Sequence, residues 1–513
     1  MLSISRSNNI IRLLLQTDTE EINTNAVPAG IVSNDVEASV GSEKEKETQS
    51  GVSTEDDGLL GGAFALPVDK DNKATKLKIC SFARPHMRAF HYSWWSFFIA
   101  FFIWFSIAPL LPEVRKTLDL SKKDVWTTNI VAVTGDIVMR FMFGAVTDKW
   151  GARLPMGFVL IAASIPTSMT GLVNSLTGLI FLRLFIGIAG SSFVMCQCWS
   201  TRMFSKDIVG VANGLVGGWG NVGGGVTQIV MGTLLFPLFR DQFFDGDAEK
   251  AWRTVCIVPA IVAATTAIIV VTTSEDCPDG NYKQLKKDGR MPEVSASASF
   301  RSGAIDFNTW LLYLQYACCF GVELTMNNFT ATYFVDKFAL STESASAIAS
   351  IFGFMNIFAR GLGGFTSDKF MNKYNMRGRI FWQATTLIME GISAEGSTYG
   401  IVPYVNPTAP GAVAGIVGAG GPTGAVLFGL GFRQIENVRH AYYLMASIVI
   451  VSGVSCLFLC VKGHRGFLWG EDTDRQTLMI PNMEEKDQEP QDVKVDVAEE
   501  EGSSDDQVVT VEA

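Results

Sequence analysis

The chain of 513 residues is 48% apolar and only 18% charged, with 49 glycines, 35 phenylalanines and 4 histidines. Soluble proteins carry about 25% charged residues, so this composition argues against a soluble enzyme and for a membrane protein. The net charge of −10 belongs to the ends: residues 1–80 carry −5 and residues 471–513 carry −12, leaving about +7 between them. A basic body suits an anionic cargo, although cytoplasmic lysines and arginines would produce the same excess.

Residues 1–87 lack apolar periodicity and read as a disordered cytoplasmic tail. The run Ile10–Leu15 is too short for a span, and no cleavable signal peptide is visible. A helix crossing the hydrocarbon core needs about 20 mostly apolar residues. Stretches near 94–112, 125–147, 155–173, 176–199, 208–238 and 252–273 meet that need, which makes 88–273 an N-terminal half of six helices. Residues 274–303, with Lys283, Lys286, Lys287, Arg290 and Arg301, form a cytoplasmic linker. Further spans near 305–335, 344–367, 411–432 and 440–461 place a C-terminal helical half over 304–465, followed by an acidic disordered tail over 466–513. With the N-terminus in the cytoplasm, about 19 Lys and Arg fall in inner loops up to residue 379 and about 8 in outer loops. Arg115, Lys116, Lys122 and Lys123 oppose the rule without reversing it. The expected class is all-α, multi-pass, with two related halves.

An internal repeat supports the two halves. Arg140-x3-Gly144-x3-Asp148-Lys149 recurs as Arg360-x3-Gly364-x3-Asp368-Lys369, displaced by 220 residues and on the second span of each half. Both arginines lie inside apolar spans, where a charge is expensive unless it lines a cavity or finds a partner. A guanidinium is planar and offers paired N–H donors that match a small trigonal oxyanion such as nitrate. Two of them on related helices could hold such an ion from opposite sides. The plainer reading is local pairing: Asp136 is four residues before Arg140 on the same face, and no acidic neighbour accompanies Arg360 in sequence. The fifth span contains Gly217-Gly218-Trp219-Gly220-Asn221-Val222-Gly223-Gly224-Gly225-Val226-Thr227-Gln228. Small residues permit close helix approach in membranes, and Asn221 supplies an amide donor.

The nine cysteines read as core residues, with no histidines at metal-ligand spacing and no metal site. No nucleophile–base pair, phosphate loop, cofactor motif or nucleic-acid-binding pattern is present, so neither an enzyme nor a nucleic-acid partner is expected.

The turn Gly144-x3-Asp148-Lys149-x-Gly151-x-Arg153 resembles the signature of the major facilitator superfamily, which implies a charge network, with Asp368 as its counterpart, that latches the halves in the cytoplasm. Gly-Trp-Gly-Asn-Val-Gly-Gly-Gly-Val-Thr-Gln on the fifth span resembles the nitrate signature of the nitrate/nitrite porter family, the plant and algal high-affinity branch above all. Arg183-x2-Ile186-Gly187 through Phe193-Val194-x-Cys196-Gln197, Gly321-Val322-Glu323-Leu324 and Glu395-Gly396-Ser397-Thr398-Tyr399-Gly400-Ile401-Val402-Pro403 match as well, so the resemblance covers about 88–470. It implies a twelve-helix major facilitator fold and alternating access. It also implies nitrate contacts from Arg140 and Arg360, a path lined by Asn221, Gly220, Gly223, Gly420, Gly421 and Gly424, and aromatic closure. Phe193 and Tyr316 fit that last role by position, with Tyr313 a rival and a bland core role open. The partners implied are nitrate or nitrite, protons in symport, the lipid bilayer of the plasma membrane and an accessory membrane subunit. Asp136, Glu323 and Glu390 are the intramembrane acids, with no proton carrier singled out.

Two departures stand out. The family's second signature, Gly-x-Gly-Gly-Asn-x-Gly, reads here Gly418-Ala419-Gly420-Gly421-Pro422-Thr423-Gly424; proline removes an N–H and an amide and can kink a helix. Arg140 to Asn221 spans 81 residues but Arg360 to Pro422 only 62, and the shortage falls in 379–405. Two crossings and a turn need about 40 residues. Either eleven spans remain, placing the acidic tail outside, or two half-length segments form a re-entrant pair. A misassembled gene model or splice variant would account for the loss. The function expected is nitrate transport, with a non-transporting relative (a sensor or an inactive product) as the alternative.

Overall fold

A computed structural model of the protein describes residues 64–290, 295–389, 394–435 and 437–472. Glu390 and Ser393 lie outside the described residues. The N-terminal half comprises α1 (His86–Thr117), α2 (Lys122–Trp150), α3 (Arg153–Leu172), α4 (Leu176–Met203), α5 (Val209–Phe243) and α6 (Ala248–Thr273). The linker carries two short helices, Tyr282–Lys287 and Ala296–Ile305. The C-terminal half comprises α7 (Phe307–Phe338), α8 (342–374), α9 (376–388), α10 (Ala394–Val405), α11 (Pro410–Gln434) and α12 (Val438–Phe458). Asn375, at φ 56° and ψ −154°, breaks the helical path between α8 and α9.

Local chemistry sets these ends. Ser121 and Asp124 form a capping box that starts α2, and Gly151 at φ 81° ends it. Apolar side chains such as Val138, Phe158, Ile165, Phe181, Ile261 and Val451 are exposed, which suits a lipid-facing belt. Ionisable and amide side chains within the spans, such as Asp136, Arg140, Asn221, Glu323 and Arg360, are buried instead. The glycines of α5 let neighbours approach: a Cβ on Gly214 would stand 2.6 Å from the Arg360 carbonyl, and one on Gly218 2.6 Å from that of Asn356.

Residues 64–85, expected within the disordered tail, are ordered in part by backbone pairing with the α4–α5 turn. Ala74 N donates to Met203 O at 2.9 Å and Ser205 N to Ala74 O at 3.0 Å, and Leu66 and Ala74 are buried.

The shortened region is a re-entrant pair. At about 1.5 Å per residue, neither α9 nor α10 can cross about 30 Å of hydrocarbon. They hold each other through Gln383 Nε2 donating to Thr398 Oγ1 at 2.6 Å and through Ser397 on Gln383. α9 begins beside Asp368, which takes a hydrogen bond from Arg379. α10 ends where Tyr404 donates to the Lys206 carbonyl at 3.3 Å. Both ends therefore lie at the end of the bundle that carries the Asp148 turn, and α11 starts there too, with Gly411 N on Asp148. The last two helices keep the direction they have in a twelve-helix bundle, and the eleven-span alternative is overturned. A cavity of about 410 Å3 opens past the tips of the pair, lined by Thr386, Leu387, Ala394, Glu323, Phe352 and Tyr442 among others.

Candidate anion site between the halves

Arg140 and Arg360 are both 0% exposed. Arg140 on α2 donates from Nε to the Asp136 carboxylate at 2.8 and 2.9 Å, from Nη1 to Gly418 O on α11 at 2.9 Å and from Nη2 to Gly190 O on α4 at 3.0 Å. The local pairing with Asp136 is therefore real. Arg360 on α8 donates from Nε to Asn356 Oδ1 at 2.7 Å and pairs with two carboxylates, Glu323 on α7 and Glu395 on α10. No acid accompanies Arg360 locally in sequence, as expected; Asn356 stands at that position, and both carboxylates come from elsewhere in the chain. Asp136 and Asn356 extend the 220-residue repeat: each sits four residues before its arginine and takes its Nε.

The Gly418 carbonyl is free to accept because Pro422, four residues on, has no N–H to donate back to it. α11 continues as one helix through Pro422, and the carbonyl that the proline leaves unpaired accepts from Arg140.

Asn221 reaches the same cluster. Its Nδ2 lies 3.4 Å from Glu395 Oε2, and the opposite amide orientation, which the surrounding donors favour, lets Oδ1 accept from Arg360, with Nε at 3.1 Å. The guanidinium carbon of Arg140 stands 5.0 Å from the Phe193 centroid and 5.2 Å from that of Phe320; Arg360 stands 5.3 Å from Phe320. Tyr316 stacks on Phe193 at 5.8 Å and on Phe320 at 5.3 Å, and Tyr399 meets Phe193 edge-on at 4.8 Å. The Tyr316 hydroxyl is buried with no hydrogen-bond partner among the described residues, whereas Tyr313 donates to Thr423 at 2.8 Å. Tyr316 is at the site and Tyr313 is not.

The glycines of the expected path are closely packed by neighbouring helices. Gly220 lies against Phe97, Gly223 against Phe98 and Phe101, Gly420 against Tyr313, Gly421 against Phe320 and Gly424 against Ala317. Gly418 and Gly190, neither singled out as a contact, are glycines whose carbonyls accept from the Arg140 guanidinium.

Both ends of the seam between the halves are closed. At one end, Asp148 accepts from Gly411 N at 3.0 Å and Ala412 N at 2.9 Å at the start of α11, and from Arg202 at 2.9 Å. Asp368 accepts from Val211 N at 2.8 Å at the start of α5. Gly144 lies against Gly411 and Gly415, Lys149 over Trp150 at 5.4 Å, and Gly151 and Arg153 against Asp276 in the linker. At the other end, Arg115 and Lys122 bind Asp336 at 3.2 and 3.0 Å, and Arg240 binds Glu343 at 3.0 Å. Two of the basic residues that oppose the inside rule thus hold the halves together. The described conformation is occluded.

Residues 93–402 match the Major Facilitator Superfamily. The chain is 37% identical over 417 residues to high affinity nitrate transporter 2.5 of Arabidopsis thaliana, covering 76% of this chain and 82% of that one. It is 35% identical over 395 residues to nitrate transporter 2.1 of Chlamydomonas reinhardtii, covering 71% of each. The chain belongs to the nitrate/nitrite porter family of the major facilitator superfamily. This is a family of transporters and not of enzymes. The fold also resembles the solved major facilitator proton:xylose symporter XylE, at a TM-score of 0.52 and 11% identity over 72% of this chain and 95% of that one.

Sequence reasoning missed Asn356, Phe320 and Glu395 as site residues. Asn356 was visible through its register with Asp136. Glu395 stood in a matched motif but was given no role there, and nothing local marked Phe320.

Proposed function

We propose that this membrane protein carries nitrate, and nitrite with it, by alternating access about the Arg140–Arg360 pair. The observation that carries the reading is the convergence of two repeat-related buried guanidiniums on one aromatic ring, beside a buried Tyr316 hydroxyl with no hydrogen-bond partner among the described residues. Buried polar atoms are normally satisfied, and an oxyanion would accept from that hydroxyl and from both arginines. The relatives named as nitrate transporters support the same cargo. The halves would rock about this point, opening the Asp148 and Asp368 latches to the cytoplasm in one state and the Asp336 and Glu343 pairs to the outside in the other. The reading includes proton symport, a plasma-membrane location and a cytoplasmic N-terminus.

The test is nitrate uptake in cells lacking their own carriers. Arg140→Lys or Arg360→Lys removes the planar fork, and losing one charge-assisted hydrogen bond costs roughly 1.5–3 kcal/mol, or about 10- to 100-fold in KM. Unchanged kinetics in both variants would sink the binding assignment. A second reading, a non-transporting member of the family, is favoured by the half-length α9 and α10. No uptake by this chain, with uptake gained when a full-length pair and Pro422→Asn are built in, would support it.

A further inference from the structure

The ionic cluster contains more negative than positive groups. Asp136, Glu323 and Glu395 carry three carboxylates against the two guanidiniums of Arg140 and Arg360, and every one of these side chains is at most 4% exposed. With all three acids ionised the cluster is −1 before any cargo arrives, and an added anion makes it −2 in a low-dielectric interior. Asp136 is tied to Arg140 on its own helix, and Glu323 also accepts from Asn356 Nδ2 at 2.9 Å. Glu395 is placed differently. It projects from the first turn of α10, at the tip of the re-entrant pair, into the gap between Arg360 and Asn221. Those are two of the groups that the family resemblance implies for the anion.

We infer that Glu395 is a tethered competitor for nitrate: its carboxylate occupies the anion position on Arg360 until it takes up a proton, and nitrate then replaces it. The exchange balances. One proton neutralises the Glu395 carboxylate, one nitrate supplies the charge to Arg360, and the cluster stays at −1. No covalent bond changes. This inference rests on the nitrate reading above and assigns its proton to one residue.

The groups facing Glu395 come from several helices. Arg360 on α8 and Asn221 on α5 touch it, and Glu323 on α7 shares Arg360 with it. A Cβ on Gly217 would stand 2.7 Å from Glu395 Oε1 and 2.8 Å from Gln197 Nε2, so Gln197 on α4 faces the same spot. Cys196 on α4, Tyr316 on α7 and Tyr399 on α10 are titratable groups within reach of the Arg360 charge, and Tyr316 and Tyr399 also of that of Arg140. Among the described residues Arg360 is the one cation bound to Glu395, so losing that contact on protonation and regaining it on deprotonation is a single switch. Ala394, next to Glu395, and Glu323 both line the 410 Å3 cavity past the tips of the pair, which has room for water beside the cluster.

The experiment measures nitrate binding to the purified full chain by calorimetry across pH 5.5–8.5 in buffers of different ionisation enthalpy, for the wild type, Glu395→Gln and Glu395→Asp. The wild type is expected to take up about one proton per nitrate in the alkaline range and to lose affinity about tenfold per pH unit there, as one-proton linkage requires. Glu395→Gln, isosteric and uncharged, is expected to bind nitrate with no proton uptake and little pH dependence, and more tightly than the wild type at pH 8. Glu395→Asp should keep the proton. Wild-type binding without proton uptake overturns the inference, as does proton uptake that persists in Glu395→Gln; the nitrate reading survives both. Binding by Glu395→Gln alone supports the inference in its strong form. If no form binds nitrate at any pH, the nitrate reading and the inference fall together.

Discussion

Arg140 and Arg360, from opposite halves of the molecule, hold their guanidinium carbons 5.2 and 5.3 Å from the centre of a single ring, Phe320. Two like charges gain a shared attractive face there, each contact being worth about 0.5–2 kcal/mol when desolvated. The ring also fixes both planes relative to any ion between them. Phe320→Leu keeps most of the apolar volume and removes the π face, so nitrate KM should rise about 3- to 30-fold with a modest fall in melting temperature. Phe320→Ala adds a core cavity and should lose about 3–5 kcal/mol of stability as well. Uptake kinetics for the leucine variant equal to the wild type would show that the ring only fills space.

The latches at one end are symmetric in chemistry. Asp148 of α2 receives N–H groups at the start of α11, and Asp368 of α8 receives one at the start of α5. A carboxylate at a helix N-terminus gains from both the free N–H groups and the helix dipole. Asp148→Asn and Asp368→Asn should each release about 1–3 kcal/mol of closure at that end. Labelling of Cys198, buried on α4 one turn before Arg202, in a chain whose other cysteines are replaced, would report it. A labelling rate that rises at least fivefold in both variants is expected. No change in either would mean that the latch does not hold the occluded state.

Pro422 gives a prediction of opposite sign to the usual one for a lost amide. The Gly418 carbonyl that it leaves unpaired in the helix is satisfied by Arg140 Nη1 at 2.9 Å, which keeps that donor from the cargo. Pro422→Ala restores the N–H, returns the carbonyl to the helix and frees the donor. Nitrate affinity should then rise about 2- to 10-fold, the worth of one net hydrogen bond, with greater thermal stability because interior proline is unfavourable. A fall in affinity would show instead that the carbonyl aims Arg140.

Much of this arrangement was legible in the chain, for a physical reason. Helices that cross a membrane announce themselves by length and composition, and a buried arginine is costly enough to mark a site by itself. The 220-residue repeat made Arg140 and Arg360 counterparts, and the missing residues in 379–405 left two outcomes, eleven spans or two half-length helices, of which the fold has the second. Partners drawn from distant segments were not legible. Glu323 and Glu395 reach Arg360 across three helices, and no spacing rule connects residues 323, 360 and 395. The glycines pose a related problem: a small residue that lets a backbone approach and one that lets an ion approach look alike in sequence. What distinguishes them is the neighbour, and only the fold supplies it.

The linker carboxylate Asp276 offers a pH test away from the membrane interior. It accepts from Arg153 N at 3.0 Å and Tyr282 N at 3.3 Å, and a side chain on Gly151 would collide with it. Burial pushes its carboxyl up to about 6, against the pull of the Arg153 backbone N–H and of the Arg153 and Arg202 charges. The usual value is 3.8, so the folded chain binds the proton more tightly than the unfolded one. The resulting stabilisation is complete below about pH 4 and is lost as pH rises through about 6, and over that window it amounts to about 3 kcal/mol at most. Melting of the purified wild type and of Asp276→Asn at pH 4.5, 6 and 7.5 would read it, because the amide cannot titrate and the other groups cancel in the difference. The wild type should gain on the variant as pH falls through 6. A constant difference across that range would mean that Asp276 titrates alike in the folded and unfolded chain, and that its contacts with Arg153 and Arg202 offset the whole penalty of burial.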